Sequence, residues 1–598
     1  MLVVDPGGLA PFGPAKWLAV SALVVAGAAT VLGRPHPPLP RRLVMAWGAF
    51  LLVAGGAAAF GVDRVYAWTG TPERHLGWLT WGLCALAFAT ARALRPDERS
   101  TVMWVAVAAC GLAGTWAVAE AVGWHPIALV GAGNRPVGPF GSSAYLGAAL
   151  ALLAPIAVGL ASDTAATGRA RRLAAAAAVA GGAGLVVSGA RAAWVGVAVA
   201  AVVVAVMRRR LPWRTAVAAA VLAVVIAVAT GVAGRLPDVV TDRNGGARGR
   251  LDEWRVAARV VAHRPLLGVG PEGYRIAFGR AVDDGYERAH GRDPLPDRAH
   301  SAVLDVAATT GVLGLAAYAA LVLAVGAYVV RTLRAGSAVH AGLAAGLVAY
   351  AAQSLFLFPI GELEPVVWLL AGLVVAHATR TGREHPVPHG GKYRPVRVAG
   401  ALAGALVAAA ALVAGGLDVA ADHAAKAALA TGRDPTRAAS LRPDQIRYRL
   451  VAARALAPAT RPAVRQLDHA LAVSPRDPVV RTERARLLLV QARQTTSRAD
   501  AMAARDALAA LSRDDPRNAE VLLRLGVADE LLGDHARAER AWTRAEHLAP
   551  HSAAASVDLA VLYAEQQRWP QAERAARRAL QRDPHNAAAR GILERHGT

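Results

Sequence analysis

Long apolar runs divide the first two thirds of the sequence, and they constrain the fold more than any other feature. A membrane-spanning helix needs about 20 consecutive, mostly apolar residues, and about twelve runs in residues 1–419 approach that length. We predict spans near residues 16–33, 43–62, 77–94, 101–122, 143–161, 173–189, 192–207, 215–234, 302–330, 338–358, 365–379 and 398–419. The chain of 598 residues is also 55% hydrophobic, more than is usual for a soluble protein. The sequence therefore predicts an all-α, polytopic membrane protein.

Arginine is distributed unequally between the loops that join these spans. Arginine-rich loops alternate with arginine-poor loops, and basic residues accumulate on the cytoplasmic side of membrane proteins. The rich loops lie near residues 34–42, 92–99, 169–172, 208–214, 331–334 and 380–397, and the poor ones hold Lys16, Arg64, Arg74, Arg135 and Arg191. We therefore expect a multi-pass protein of the inner or plasma membrane. Residues 235–301 and 420–598 are expected on its outer side, which is periplasmic or extracellular.

The net charge of +23 does not require a nucleic-acid partner. The basic residues lie largely in short loops between apolar runs, so the membrane topology explains them and no nucleic acid is expected. Cys84 and Cys110, the two cysteines, both lie inside apolar runs and form neither a disulfide framework nor a metal-binding set. Asp283, Asp284 and Asp293 have no recognisable metal-ligand spacing. We therefore expect neither a metal nor a cofactor.

After residue 420 a helical Ala/Arg/Leu pattern replaces the apolar runs. Pro516, Pro550 and Pro584 recur every 34 residues, which is the period of the tetratricopeptide repeat. Small and apolar residues fill the pattern of two consecutive repeats, namely Leu522, Leu525, Gly526, Ala538, Trp542 and Ala545, then Leu559, Ala560, Tyr563, Ala572 and Ala579. A looser copy ends at Pro475, and the interval 476–515 is too long for a standard repeat.

Two domains follow from this change of pattern. Residues 1–419 are predicted to form the membrane domain, and residues 420–598 an external α-solenoid of tetratricopeptide repeats. Such repeats stack into extended surfaces, so we expect this domain to offer a site for a protein partner.

The longest polar interval inside the apolar part, about residues 235–301, is the candidate catalytic segment. It contains an amphipathic helix that ends near Pro265 and carries Arg250 at its start. His300 follows at the entrance of the next span, in which Gly311 and Gly314 are expected to allow a bend or close packing. Arginine and histidine are costly in contact with lipid, so we expect this cluster to face water or a polar cavity.

Five short sequences resemble the O-antigen ligase and O-antigen polymerase family of membrane glycosyltransferases. They are RPVGPFGSSAYLGAALAL (135–152), SGARAAWVGV (188–197), GRLDEW (249–254), RPLLGVGPEGY (264–274) and AHSAVLDVAATTGVLGLAAY (299–318). Their order and spacing in a multi-span protein make the resemblance fairly specific, and it covers about residues 130–375. It implies a C-type glycosyltransferase-like fold and a donor that carries its glycan on a polyprenyl pyrophosphate.

The resemblance also implies roles for three residues. Arg191 would face the lipid-linked donor, Arg250 would help to hold the pyrophosphate, and His300 would be required for ligation. Guanidinium groups suit the first two roles because they bind phosphate in a bidentate way and keep their charge. Histidine suits the third because it titrates near neutral pH and can orient or deprotonate an acceptor hydroxyl. The family usually has Asn after this histidine, whereas Ser301 stands here, which leaves the fine geometry open.

Four further residues are weaker candidates. Arg135 and Arg248 would support donor binding. Glu362 and Glu364, in the outer loop near residues 359–365, would orient His300 or contact the acceptor, although carboxylates in short loops are by default solvated.

These inferences predict an inverting, metal-independent glycosyltransferase of cell-surface polysaccharide biosynthesis, including lipopolysaccharide. It would move an oligo- or polysaccharide from the lipid donor to a hydroxyl of a glycan, lipid or protein acceptor. The identity of the acceptor distinguishes a ligase, a polymerase and a protein O-oligosaccharyltransferase, and the sequence leaves all three open. Two alternatives come from other classes of protein. One is a transporter with about twelve spans that moves a glycolipid or anionic substrate, and the other is an inert membrane scaffold for the repeats.

Overall fold

The computed structural model describes residues 2–31, 34, 39–127, 135–208, 247–380 and 394–595. Within these residues the regular structure is helical and no strand is present, so the all-α prediction is confirmed. The chain forms two compact units. The membrane unit takes its described residues from Met1–Thr241, Val261–Glu272 and Ala299–Lys426. The repeat unit takes them from Asp242–Val260, Gly273–Arg298 and Ala427–Thr598.

Where the structure describes them, the first 431 residues form mainly helices. In chain order they are α1 (Pro14–Val31), α2 (Arg41–Phe60), α3 (Tyr66–Thr69), α4 (Trp78–Ala93), α5 (Pro96–Ala121), α6 (Ser143–Ala161), α7 (Gly168–Val187), α8 (Arg191–Met207), α9 (Ala247–His263), α10 (Tyr274–Ala281), α11 (Asp284–His290), α12 (Ala302–Ala335), α13 (Ala338–Gln353), α14 (Glu364–Arg380) and α15 (Arg394–Thr431). Short 3₁₀ turns occur at Gly138–Phe140 and Ser354–Phe356.

Eight helices among the described residues are long and apolar enough to cross a membrane. They are α1, α2, α5, α6, α7, α12, α13 with its following 3₁₀ turn, and α15. Helices α4, α8 and α14 occupy three further predicted spans but contain 16, 17 and 17 residues. The predicted span near residues 215–234 lies outside the described residues, so the total of about twelve spans stays a prediction.

Small residues bring the membrane helices close together. A Cβ atom on Gly114 of α5 would lie 2.2 Å from the carbonyl oxygen of Ala180 in α7. Between α13 and α6, a Cβ atom on Gly342 would lie 2.4 Å from the carbonyl oxygen of Pro155. Such contacts let backbones approach closely where apolar burial alone does not drive association. Helix α6 is buried along most of its length and forms the centre of the unit.

A break in α12 receives the loop that follows α9. Gly311 has φ 69° and ψ −173°, which no helix contains, so the predicted bend at this residue is confirmed. The backbone N–H of Val269 donates to the carbonyl of Ala308 at 2.9 Å, and that of Val312 donates to the carbonyl of Pro265 at 2.7 Å. The loop therefore satisfies polar backbone groups that the break leaves without helical partners.

The repeat unit continues as short helices that pair along the chain. They are α16 (Arg437–Leu441), α17 (Ile446–Ala455), α18 (Thr460–Val473), α19 (Pro478–Thr495), α20 (Arg498–Asp514), α21 (Ala519–Leu531), α22 (His535–Leu548), α23 (Ala554–Glu565), α24 (Trp569–Arg582) and α25 (Ala587–Arg595). The pair α19 and α20 has 18 and 17 residues, against 13 and 14 in α21 and α22. Longer helices thus explain the interval 476–515 that exceeds a standard repeat.

Packing within a repeat depends on a small residue facing a large one. Gly526 of α21 faces Trp542 of α22, and a Cβ atom on Gly526 would lie 2.4 Å from the indole Nε1. That indole nitrogen donates to the carbonyl of Leu523 at 3.0 Å. The side chains of Asp477 and Asn518 each accept a hydrogen bond from the backbone N–H three residues later, and each such helix cap contributes about 1 kcal/mol. These local rules reproduce the tetratricopeptide pattern that the sequence predicts.

Helix α15 runs without interruption from Arg394 to Thr431 over 38 residues. The predicted domain boundary between residues 419 and 420 falls inside this helix, and its position stays a prediction. Residues Gly273–Arg298 belong to the repeat unit although they precede α12 in the chain.

Candidate functional site

His300 lies just before α12 in the membrane unit, in a cluster of aromatic and cationic side chains around Phe358. Its backbone has φ 47°, a left-handed conformation that is costly for residues other than glycine and concentrates at functional positions. Its ring packs edge-on against Phe358, with ring centroids 5.4 Å apart. The guanidinium of Arg74 lies 4.9 Å from the centre of the same phenyl ring and donates a hydrogen bond to the Tyr145 hydroxyl. We call these four residues the His300 cluster.

The His300 cluster joins four segments that are far apart in the sequence. Arg74 precedes α4, Tyr145 lies in the first turn of α6, and Phe358 lies between α13 and α14. The sequence identified His300 alone. Arg74 was noticed only as a charge in an arginine-poor loop, and that position is the one local signal that could have identified it. The cluster packs a histidine ring and a guanidinium against the same phenyl ring, which suits the handling of a hydroxyl proton near an anion.

Arg135 and Arg191 lie on either side of one turn. Gly189, with φ 63°, forms the turn between α7 and α8, and Arg191 is the first residue of α8 and is exposed. A Cβ atom on Gly189 would lie 3.6 Å from Cδ of Arg135, so the Arg135 side chain runs beside this turn. Gly147 of α6 allows the turn to approach, because a Cβ atom there would lie 2.3 Å from Cβ of Ala190. Two guanidinium groups and the free N–H groups of a helix N-terminus together favour an anion.

The two carboxylates of the loop before α14 lie in different surroundings. Glu364 accepts hydrogen bonds from the Tyr350 hydroxyl at 2.7 Å and from the Trp368 indole at 3.1 Å, and it is buried. Glu362 is also buried. Burial raises the pKa of the Glu362 carboxyl, while nearby His75, Lys16 and Arg74 oppose that rise. Glu364 thus ties two helices together, whereas Glu362 faces a cavity.

That cavity has a volume of about 190 Å³ and lies beside the His300 cluster. Its wall includes Lys16, Glu73, Phe140, Tyr145 and Glu362. Tyr145 is shared, because it lines the cavity and also packs edge-on against Phe358, with ring centroids 6.0 Å apart. We call this space the Lys16 cavity.

Arg250 lies in the repeat unit, on α9. This helix buries Val256, Ala257 and Val260 and leaves Arg255 exposed, as the amphipathic pattern predicts. Arg250 is half-buried, and the side chain of Arg248 lies outside the described residues. Burial raises the pKa of the Glu253 carboxyl to about 7; the charge of Arg250 opposes that rise and Asp297 adds to it.

Helices α10 and α11, which follow α9, bind the repeats through ion pairs. Arg292 contacts Glu287 at 2.9 Å and Asp515, at the end of α20, at 2.7 Å. Glu287 also accepts a hydrogen bond at 3.0 Å from the backbone N–H of Ala519, the first residue of α21. Asp284 accepts two hydrogen bonds from Arg544 of α22, at 3.0 and 2.9 Å. None of the three contacts that reach Asp515, Ala519 and Arg544 was predicted, because each joins residues more than 200 positions apart without a local pattern.

A second buried pair strengthens this contact. Arg275 of α10 donates to Asp477 at 2.7 and 3.0 Å, and the two side chains are 10% and 1% exposed. Within the described residues, no group of three or more His, Cys, Asp or Glu side chains could hold a metal ion.

Comparison with known proteins identifies one family. Residues 176–319 match the model of the O-antigen ligase family, and this range includes Arg191, Arg248, Arg250 and His300. No curated protein matches the chain.

Two solved structures of helical repeat proteins are similar to part of the chain. In the crystal structure of MamA, the matched residues are 14% identical to this chain. The match covers 27% of this chain and 94% of the MamA chain, with a TM-score of 0.24. TTC0263, a thermophilic tetratricopeptide protein of Thermus thermophilus, is 21% identical in sequence. The match covers 34% of this chain and 98% of the TTC0263 chain, with a TM-score of 0.24. Neither likeness adds to what the helix pairs themselves show. Residues 176–319 of this membrane protein match the O-antigen ligase family, and its C-terminal helix pairs follow the tetratricopeptide pattern.

Proposed function

We propose that this protein is an inverting, metal-independent glycosyltransferase that uses a polyprenyl-pyrophosphate-linked glycan. It transfers the oligo- or polysaccharide to an acceptor hydroxyl on the outer face of the inner or plasma membrane. The observation that carries this proposal is that the matched family domain holds Arg191, Arg250 and His300. The match to this family supports the role of a membrane ligase or polymerase. The donor, the stereochemistry and the acceptor are what we propose in addition.

The reaction needs one bond to form and one to break. The acceptor oxygen attacks the anomeric carbon from the side opposite the pyrophosphate, so the configuration inverts. The bond from the anomeric carbon to the pyrophosphate oxygen breaks, and the lipid pyrophosphate leaves with the bonding electrons. His300 accepts the hydroxyl proton on a ring nitrogen as the new bond forms. Negative charge grows on the leaving group, and positioned donors that neutralise it lower the barrier.

Arg135 and Arg191 are the groups in the membrane unit that we assign to the pyrophosphate. They lie beside the same turn, and the first N–H groups of α8 add positive charge there. Arg250, on α9 of the repeat unit, is assigned to donor binding on the family resemblance alone. Arg74, within the His300 cluster, contacts Tyr145 and Phe358, and Phe358 packs against the histidine ring, which would limit the orientations of that ring.

The acceptor determines which member of this class the protein is. A glycan or lipid acceptor makes it a polymerase or ligase, and a protein acceptor makes it an O-oligosaccharyltransferase. The repeats favour a protein partner, because stacked helix pairs present an extended surface to a polypeptide. That partner is either the acceptor or another enzyme of the same pathway.

Deletion of the gene and complementation with variants tests the proposal. Without the protein, we expect short surface glycans or unmodified acceptor, and lipid-linked donor accumulated on the outer leaflet. The wild-type gene and His125→Ala, at an exposed position, should restore the glycan, and His300→Ala should not. A donor trapped on the inner leaflet would instead identify a transporter and overturn the proposal.

A further inference from the structure

The Lys16 cavity contains charged side chains that the proposed transfer does not use. Lys16 is 2% exposed, and Glu362 is 8% exposed. The ammonium of Lys16 donates to the carbonyl of Pro139 and lies 4.8 Å from the centre of the Phe140 ring. A buried ammonium and a buried carboxylate are costly, and inside a membrane protein such groups mark sites that bind or move a polar ligand.

The wall of the cavity is not a cluster of cations of the kind that binds pyrophosphate. It has two carboxyl groups, Glu73 and Glu362, and one ammonium, and Arg74 lies near Glu362. We therefore assign the pyrophosphate to Arg135 and Arg191 instead. An uncharged ligand rich in hydroxyl groups suits such a wall, because carboxylates accept hydrogen bonds from hydroxyls and an ammonium donates to them.

The shape of the cavity limits the ligand further. Its volume of about 190 Å³ is below the range of about 300 to 1,000 Å³ that holds drug-sized ligands. It holds one ring and neither a lipid nor several sugars. Phe12, Phe140 and Tyr145 supply apolar faces against which the C–H face of a sugar ring can pack.

We propose that the Lys16 cavity binds one neutral sugar ring of the acceptor. Glu73 and Glu362 accept hydrogen bonds from its hydroxyls, and the aromatic side chains cover its apolar face. Tyr145 links this ring to the His300 cluster, since it touches both the cavity and Phe358. The assignment of this sugar ring to the acceptor rests on the proposed function, whereas the binding of a sugar ring in the cavity does not.

Saturation-transfer difference NMR on the purified full-length protein tests this site directly. The probes are free glucose, galactose, mannose, N-acetylglucosamine and N-acetylgalactosamine. Ala10→Phe fills the cavity, because Ala10 is part of its wall, and Glu362→Gln removes one acceptor while keeping the shape. Ala165→Phe makes the same enlargement in the exposed loop between α6 and α7 and serves as the control.

We expect at least one sugar to give a signal that falls to background in Ala10→Phe, falls several-fold in Glu362→Gln and is unchanged in Ala165→Phe. All variants must elute and melt like the wild type; if Ala10→Phe does not, Glu362→Gln decides alone. A wild-type protein that binds none of the sugars, or a signal that both variants retain, overturns the proposal. If sugar binding follows this pattern but transfer does not occur in the wild type, the proposed function falls and the cavity site stands.

A different observation carries a second inference, which concerns Arg250. A continuous chain of contacts in the repeat unit leads from the repeats to α9. The rings of Tyr286 and His290 lie 4.6 Å apart, and Nε2 of His290 is 3.1 Å from Asp252 of α9. Tyr286 and His290 belong to α11, the helix that also carries Glu287, which binds Ala519 of the repeats.

Burial makes this chain of contacts rigid. Arg292 is 8% exposed and Glu287 2% exposed, and removing one partner of a buried pair leaves the other charge uncompensated. We infer that the repeats position α9, and with it Arg250, through Glu287 and Arg292. Arg292 is thus a positioning residue for the proposed transfer, and a misplacement of about 1 Å can cost about a hundredfold in rate.

Non-additivity distinguishes positioning from a general loss of structure. We expect Arg292→Ala to lower transfer by about a hundredfold in the otherwise wild-type protein and to change it little in the Arg250→Ala background. Arg280→Ala, which removes an exposed pair with Asp514, is the matched control and should leave transfer nearly unchanged.

An equal effect of Arg292→Ala in both backgrounds, or no effect in either, overturns the positioning role. The outcome for the single variant Arg250→Ala is read separately. If it transfers normally, the proposed role of Arg250 is wrong, and the positioning role falls with it.

Discussion

In the membrane unit the candidate side chains are held by packing inside a helical bundle, whereas in the repeat unit they are held by ion pairs between distant segments. His300 rests against Phe358 and Arg191 begins a helix behind a tight turn. Arg250 depends on a helix whose neighbours are fixed by Glu287 and Arg292 on the repeats. The comparison teaches that one active-site candidate is local to the bundle and that another depends on residues near the C-terminus.

Thiol labelling tests the sides of the membrane on which the two units expose their surfaces, and its expected effect is all-or-none. Cys84 and Cys110 are buried and should give little background. In intact cells, Ala289→Cys and Met502→Cys should react with a membrane-impermeant reagent, because both sites are exposed and predicted to be outside. Thr164→Cys, in an exposed loop predicted to be cytoplasmic, should react only after permeabilisation. Labelling of Thr164→Cys alone would invert the topology.

Substitution of arginine by lysine should lower transfer strongly in both units. Arg191→Lys and Arg250→Lys keep the charge but lose the bidentate fork, and loss of one positioned donor costs about a hundredfold or more in kcat. Arg255→Lys is the control, because Arg255 lies on the same helix as Arg250 and is 69% exposed. Near-normal rates in both test variants, with normal insertion, would show that these arginines are solvated or structural.

The ion pairs of the repeat unit should contribute to the free energy of unfolding according to how deeply they are buried. Arg275→Ala leaves Asp477 buried without its cation and should lower the free energy of unfolding by about 3 kcal/mol. Arg280→Ala breaks a pair whose side chains are 68% and 39% exposed and should cost less than about 1 kcal/mol. Denaturant titration of the full-length protein measures both values, and similar costs would contradict the importance of burial.

The smallest expected effect is the contribution of Glu253 to the pH dependence of stability. Burial raises the pKa of its carboxyl in the folded protein to about 7, above its unfolded value of about 4.3. The unfolded chain therefore releases this proton at lower pH, and stability decreases as the pH rises from about 4 to about 7. Glu253→Gln should reduce that decrease when the unfolding midpoint is compared at pH 5 and pH 8. An unchanged pH profile would show that the carboxyl is not desolvated.

Regular patterns made much of the fold predictable from the sequence. Apolar runs predicted the membrane helices, the recurrence of Pro516, Pro550 and Pro584 predicted the repeats, and Gly311 predicted the break in α12. These signals are local, because a helix or a turn depends on neighbours within a few residues. Even so, α4, α8 and α14 contain 16, 17 and 17 residues, fewer than the about 20 that a membrane-spanning helix needs.

The site was only partly predictable, for a physical reason. His300 and Arg191 stand in recognisable short sequences, but Arg74 and Lys16 stand in none. Their surroundings arise only when separate helices meet. The same holds for Asp284 and Arg544, which pair across 260 positions, since no periodicity reports a contact over that distance.

One measurement tests the central claim most directly. The purified protein is reconstituted in liposomes with a lipid-linked glycan donor and its acceptor, and release of polyprenyl pyrophosphate is followed alongside formation of the glycosylated acceptor. The account predicts equal amounts of both products in the wild type. His300→Ala should lower both by about a hundredfold to ten-thousandfold, while His125→Ala should react normally. Full activity in His300→Ala, or product without release of polyprenyl pyrophosphate, would contradict the account.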